Sequence, residues 1–451
     1  MRLPSDILET ARFWASALQF DSVTRSEVRS LLHSKNYEEI LDRFHRDLEF
    51  GTGGLRGIVG AGTCRMNLYN VRKATTALAR HLQKSYKHCA LKVAISYDSR
   101  VHSKEFAQAT AEVLAAHGII AVITKDIRPT PVLSFMVRHF ACQAGVCITA
   151  SHNPSEYNGY KVYGENGGQI VSPQDRCIIG EYNQIKKNAN LIHLLFADGL
   201  SRKLIQEVGG ELDEAYLKNL TDLPFVEKSN KKKLKVVYSP LHGAGYSIVP
   251  RALRSFGYKD LVVVPEQAVP DGRFPTVESP NPENTDTLAL SLDYAKKHEA
   301  DLVLVTDPDA DRLAIAYKDN TGWNHINGNQ LICLLGDYVL STLRNKGCLS
   351  SSNYVVKTIV TTELFRKIAL SYGVDCEDTL TGFKWIADLI ARYEKDPKTC
   401  NKNFICGGEE SYGFLAGTFV RDKDAIIACI LACEMVAYHK KKGGNFNRSF
   451  G

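Results

Sequence analysis

Apolar residues recur at three- and four-residue spacing through the first fifty positions, as in YEEILDRFHRDLEF (37–50), which predicts amphipathic helices. GTGGLRG (51–57) breaks that periodicity and reads as a glycine loop around one arginine. A helical segment over 68–86 then leads to a strand in LKVAISYDSR. An amphipathic stretch over 104–116 follows, and then a second strand in HGIIAVIT. Strand, helix, glycine, strand is the order of a βαβ unit in a parallel-rich sheet. The order returns twice. LKVVYSPLHG (234–243) runs through a short helix to FGYKDLVVVP, and YVVKTIVTT runs through ELFRKIALS to YGVDCEDTLTG. The pattern predicts three similar mixed α/β domains. Polar stretches at 186–190 and 319–324 set the expected boundaries. The first domain, with the leading helices, takes 1–190, the second 191–320 and the third 321–444. Glycine-rich 445–451 reads as a linker.

Composition narrows the class without naming a function. A chain of 451 residues exceeds what one core supports, so several domains are expected. A net charge of +6 from 56 basic and 50 acidic residues gives no sign of nucleic acid or membrane as a partner. The run Lys231-Lys232-Lys233 reads as a solvated loop. Twelve cysteines without a Cys-x-x-Cys pair point to reduced, buried thiols, and so to a cytoplasmic protein. The opening MRLPSDILETARFW carries acids where a signal peptide needs an apolar run. The most apolar stretch, 425–436, is broken by Glu434, is too short to cross a bilayer, and reads as a buried helix.

Two strand ends carry candidate chemistry. In ADLVLVTDPDADRLAIAY (300–317), a strand ends at Thr306, acids follow at Asp307, Asp309 and Asp311, and a new strand begins at Leu313. Three carboxylates so close repel one another unless a cation lies among them, and all-oxygen ligation suits Mg²⁺. An EF-hand is excluded, because Arg312 and Lys318 stand where that loop needs glycine and glutamate. Arg312 places a fixed charge beside the metal, suited to a phosphate oxygen. In GVCITASHNP (145–154), Ser151 has no Gly-x-Ser-x-Gly frame, and no Walker loop occurs in the chain. Alone, such a turn is more often a capped loop than a catalytic site.

TASHNP followed by NGYK, with DPDADR and GGEESYGF, resembles the α-D-phosphohexomutase superfamily. More narrowly, it is similar to the phosphoglucomutase/phosphomannomutase branch, whose leading helices run into GTGGLRG. The likeness runs in order from about Glu49 to Asp424. It implies domains arranged around a cleft, with the family's fourth, phosphate-binding domain absent here, because 27 residues follow Asp424. It assigns the phosphoryl group to Ser151 and one Mg²⁺ to Ser151, Asp307, Asp309 and Asp311. Phospho-Ser151 would give its group to a sugar monophosphate, and the resulting bisphosphate would return its other phosphoryl. Glucose 1,6-bisphosphate is then the intermediate and activator.

The same resemblance makes Lys161 a general base, provided nearby cations lower its pKa. It sets Arg56 near the transferring phosphoryl and Thr381 and Lys423 on the substrate, with Arg421 as a helper. His152 is ranked lower, because neighbouring side chains on a strand point to opposite faces. Glu409 and Ser411, two apart on an extended loop, suit two neighbouring sugar hydroxyls. The GEES form, through Glu410, points to glucose. His242 and Lys384 receive no role.

The expected function is a mutase moving phosphate between C1 and C6 of a hexose, acting on small-molecule sugar phosphates. Turnover is expected to suffer where remote phosphate binding is missing. The rivals are a non-catalytic phosphosugar-binding protein and a metal-dependent sugar phosphatase. The sequence sets neither the choice among glucose, mannose and pentose nor an oligomeric state.

Overall fold

A computed structural model describes residues 3–51, 53–87, 89–186, 191–227, 233–319, 322–396 and 401–441. Lys231 and Lys232, parts of both expected boundary stretches and the glycine-rich 445–451 lie outside them. The leading segment forms helices Ser5–Ser16, Ser22–His33 and Tyr37–Phe44. Asp21 and Asn36 cap the second and third by accepting the backbone N–H groups of Thr24 and Glu39. Trp14, stacked on Phe20 at 4.3 Å, centres a small core of their own.

Three sheets follow. The first holds β1 (Gly54–Ile58), β2 (Lys92–Tyr97), β3 (Ile120–Thr124), β4 (Ala144–Ile148), β5 (Tyr157–Gly164) and β6 (Ile205–Val208), in the order β1-β5-β4-β2-β3-β6. The second holds β7 (Val236–Ser239), β8 (Leu261–Val263), β9 (Leu302–Thr306), β10 (Leu313–Asp319) and β11 (Gly322–Ile326), in the order β11-β10-β9-β7-β8. The third holds β12 (Asn353–Thr358), β13 (Asp375–Thr379), β14 (Asn403–Glu409) and β15 (Gly413–Ala416), in the order β13-β12-β14-β15. The inner strands are buried along almost their whole length because helices cover both faces of a parallel sheet.

The common plan is specific. In each sheet a central strand (β2, β7, β12) pairs in parallel with two neighbours, and one of those neighbours turns back into an antiparallel strand. Those turning pairs are β4–β5, β9–β10 and β14–β15. Their connections contain Ser151, the aspartate trio and the second half of the GEES segment (Glu410 and Ser411) respectively. The three motifs are therefore one topological corner used three times.

Two sheets run past the expected boundaries. β6 pairs in parallel with β3, so the first sheet extends past residue 190 to Val208. β11 pairs with β10, so the second sheet runs past 320 to Ile326. Each polar stretch therefore falls within the span of one sheet rather than between sheets. GTGGLRG also differs from expectation. Leu55 and Arg56 lie in β1, and a Cβ on Gly54 would stand 1.8 Å from the Tyr160 carbonyl oxygen. Glycine is needed there for strand approach (φ +131°), not for an open loop.

Helix Ala425–Lys441 packs on β9 and β10 on one side and β15 on another, which explains an apolar stretch with no polar face. No helix among the described residues is long and apolar enough to cross a membrane. The described cysteines are all free thiols, and most are buried.

Candidate active site

The corner after β4 places Ser151 in the left-handed region, at φ +52°. That conformation is costly for a side-chain-bearing residue and persists only where the surroundings enforce it. Here they do. The Ser151 N–H donates to Thr149 Oγ1 at 2.8 Å. The Arg100 guanidinium donates to the carbonyl oxygens of Ser151 (2.7 Å), Pro154 (2.7 Å), Tyr157 (2.9 Å) and Asn153. The Ser151 hydroxyl is thereby aimed at the second sheet, where it donates to Asp307 Oδ2 at 2.7 Å.

The corner after β9 holds Asp307, Asp309 and Asp311, all buried, with one oxygen of each within 4.8 Å of the others. Asp307 Oδ1 accepts the backbone N–H groups of Asp311 and Arg312, both at 3.1 Å. Asp309 Oδ2 accepts from Lys161 Nζ at 2.7 Å and Thr130 Oγ1 at 2.8 Å. Asp311 Oδ2 lies 3.3 Å from both Lys161 Nζ and Lys423 Nζ. The remaining oxygens, Asp309 Oδ1 and Asp311 Oδ1, are buried and accept no hydrogen bond. Buried carboxylate oxygens without donors are costly. Two such atoms, beside an Asp307 oxygen and the Ser151 hydroxyl, fit a hard divalent cation. Burial, and then the charges of Asp309 and Asp311, push the Asp307 carboxyl well above its ordinary range, as expected of a site built for a positive charge.

The loop is clamped from every side. Ala244 N–H donates to the Pro308 carbonyl at 2.7 Å, and a Cβ on Gly243 would lie 2.3 Å from Pro308 Cα. From the third domain's side, Leu313 N–H reaches the Tyr412 carbonyl at 3.1 Å and Ala425 N–H the Ala310 carbonyl at 3.2 Å. His242 is buried against the Val269 carbonyl and Thr276 Oγ1, so it supports this corner and does not face the cleft.

A cleft of about 430 Å³ opens over these groups. Arg56, Ser151, His152, Lys161, Asp311, Arg312, Thr381, Lys384, Glu409, Ser411 and Lys423 line it. The three corners thus bring the expected catalytic and sugar-binding side chains to one cavity. Arg56 Nη1 donates to Asn153 Oδ1 at 3.0 Å, and Arg312 Nη1 to Glu283 Oε1 at 2.6 Å.

Four side chains depart from expectation. Lys161 lacks the lowered pKa expected of a base. Burial pulls it down, but the carboxylates of Asp309 and Asp311 outweigh burial and hold it above its ordinary value. His152 is not turned away from Ser151. The corner is not a strand, and the ring Nδ1 lies 3.3 Å from Ser151 Oγ. Burial, and then Arg312, lower its pKa to about 3, so the imidazole is neutral. Arg421 is fully buried and bonded to Glu394, away from the cleft. Glu410 faces its own domain. Its Oε2 accepts from Thr358 Oγ1 at 3.0 Å and Thr361 Oγ1 at 2.9 Å. The GEES segment is the end of β14, through Glu409, and the tight turn to β15 that begins at Glu410, not an extended loop, and this turn sends the middle glutamate backward.

Arg100 and Thr130 have no part in the sequence reading. An arginine just after a strand in SYDSR, and a Thr between prolines in RPTP, were the available signals.

Comparison with known proteins agrees with this geometry. Models of the phosphoglucomutase/phosphomannomutase alpha/beta/alpha domains I, II and III match residues 47–189, 214–322 and 327–447. A phosphopentomutase of Homo sapiens is 36% identical over 433 residues, covering 93% of this chain and 70% of that protein. A phosphoglucomutase of Staphylococcus saprophyticus is 38% identical over 413 residues, covering 91% of this chain and 73% of that protein. The crystal structure of a candidate phosphomannomutase from Thermus thermophilus superposes with a TM-score of 0.72 at 24% identity. It covers 90% of this chain and 83% of its own, and shows the shared fold. Matched in order by all three domain models, and by relatives sharing 36% and 38% of aligned positions, the chain belongs to the phosphoglucomutase/phosphomannomutase family.

Proposed function

We propose that the protein interconverts sugar 1-phosphates and the corresponding terminal phosphates, with glucose 1- and 6-phosphate as the leading pair, through phospho-Ser151. The observation carrying this reading is the 2.7 Å approach of Ser151 Oγ to Asp307 beside two unpartnered carboxylate oxygens. Ser151, Asp307, Asp309 and Asp311 would hold Mg²⁺, which supplies charge stabilisation for the serine oxygen during transfer.

In the transfer, a sugar hydroxyl oxygen bonds to phosphorus, the phosphorus–Ser151 Oγ bond breaks, and the hydroxyl proton ends on the serine side. Glucose 1,6-bisphosphate forms, turns over in the cleft, and returns its other phosphoryl to Ser151. Arg56, Arg312 and the Lys161 ammonium neutralise the phosphoryl oxygens, which a loose transition state requires. Neutral His152 stands with its Nδ1 3.3 Å from Ser151 Oγ and completes the polar surroundings of the serine. Glu409 and Ser411 grip sugar hydroxyls, with Thr381 and Lys423 completing the contact.

The likeness to a phosphopentomutase favours a second reading of the same chemistry, with pentose phosphates, ribose phosphate among them, as substrate. With Glu410 turned into its own domain, the GEES form is no argument for glucose. The test is a coupled assay from glucose 1-phosphate and, in parallel, ribose 1-phosphate, each with and without a trace of the sugar bisphosphate. Net isomerisation supports the mutase. Release of inorganic phosphate, or binding without turnover, overturns it in favour of a phosphatase or a binding protein.

A further inference from the structure

Thr130 begins helix Thr130–His139 in the first domain, while Asp309 sits in the corner of the second sheet, 179 positions later. Two hydrogen bonds join them. The Thr130 N–H donates to the Asp309 carbonyl at 2.9 Å, and Thr130 Oγ1 donates to Asp309 Oδ2 at 2.8 Å. The threonine is fully buried. Its place is fixed on both sides: Pro131 holds the first helical turn, and Arg128 is anchored by paired bonds to Asp213 at 2.8 and 3.1 Å.

The consequence for Asp309 is directional. Its Oδ2 receives two donors, Thr130 Oγ1 and Lys161 Nζ, whereas the buried Oδ1 receives none. An ionised carboxylate only accepts, so the threonine proton points at Oδ2, and the Cys147 thiol at 3.5 Å is left to donate to Oγ1. With Oδ2 saturated, the carboxylate plane is set and Oδ1 is the oxygen left to accept from a cation. Groups that hydrogen-bond a ligating carboxylate orient it and tune its affinity.

We infer that Thr130 is a positioning residue for the cation site: carried by one domain, it turns Asp309 of another so that a single oxygen faces the cation. This rests on the cation reading of the aspartate trio proposed above. A corollary is that Thr130, with Ser151 and Lys161, couples cation binding to the seating of the first domain on the second.

The test is the Mg²⁺ dissociation constant of the full chain, by titration calorimetry, for wild type, Thr130→Val and Thr130→Ser. Valine keeps the shape and removes the hydroxyl, while serine keeps the hydroxyl. The expected result is about 10-fold or greater weakening in T130V, with recovery in T130S. Melting temperatures in chelator run alongside. A T130V protein that melts lower yet binds Mg²⁺ like wild type would show a merely structural bolt and overturn the inference. Should valine prevent folding, Thr130→Ala makes the same comparison with a smaller side chain. A wild type that binds no Mg²⁺ defeats the cation reading itself, an outcome distinct from equal binding by wild type and variant.

Discussion

Ser151 and Asp307, 156 positions apart, meet with 2.7 Å between Oγ and Oδ2. Neither residue's own sheet explains the meeting. Each stands at the corner where a parallel strand turns into an antiparallel one, and the corners of two sheets face each other.

That contact predicts a shared loss of function. S151A removes the acceptor of the phosphoryl group and should leave no measurable isomerisation. D307N keeps the shape but removes charge from the carboxylate bonded to the serine, and kcat should fall on the order of a hundredfold or more. Steady-state assays on both variants check this, with near-UV circular dichroism to confirm folding.

Arg100 gives a second prediction. Its guanidinium holds four carbonyl oxygens around Ser151 and stands 3.5 Å from buried Asp98. A lysine cannot supply that fork of donors. R100M leaves Asp98 uncompensated and should cost about 3–5 kcal/mol of stability, while kcat falls more than KM rises. Denaturant unfolding and kinetics together measure it.

Glu410 should act on sugar choice at a distance. It ties the turn carrying Glu409 and Ser411 to Thr358 and Thr361. E410A should loosen that turn, raise KM for the preferred sugar and narrow its advantage over other sugar phosphates, with phosphorylation of Ser151 intact. E410Q, which can still accept both hydroxyls, should stay close to wild type. The ratio of kcat/KM values for glucose and ribose phosphates reads the effect.

Asp424 predicts a pH dependence. Burial raises its carboxyl from 3.8 to about 6, against the bonds from Tyr216 and the N–H groups of Ile427 and Ile426. The folded state therefore binds this proton more tightly than the unfolded chain. Its stabilising contribution is full below pH 3.8 and is lost as pH rises through 6. The lost contribution is about 3 kcal/mol. D424N can keep all three bonds and carries no charge. Its melting temperature should gain on wild type as pH rises from about 3 to about 7, as differential scanning calorimetry would show.

Much of this was legible before the structure. Thr306 and Leu313 were readable as strand ends because an apolar run flanks the acids on each side, and the hairpin pairs those two residues directly. Ser151 and Lys161 came from motif resemblance, and Glu409 and Ser411 from spacing supported by that resemblance. What escaped was three-dimensional. β6 joins β3 across an intervening segment, and no local pattern encodes that pairing. The direction of Glu410 depends on a tight turn and two threonines about fifty positions earlier. Lys161 was expected to sit among cations, but its nearest charges are the carboxylates it bonds. Arg100 and Thr130 are ordinary residues in the sequence and acquire roles only through the groups that face them.

The central claim is that Ser151 carries the phosphoryl group in a cation-bound corner. The direct measurement is peptide-mapping mass spectrometry after incubation with glucose 1,6-bisphosphate and Mg²⁺, alongside chelator, S151A and Asp309→Asn controls. The account predicts one added phosphoryl group on Ser151 in wild type, none in S151A, and little in chelator or in D309N. Phosphate on another residue, or an unmodified Ser151 in protein shown to bind the bisphosphate, would contradict it.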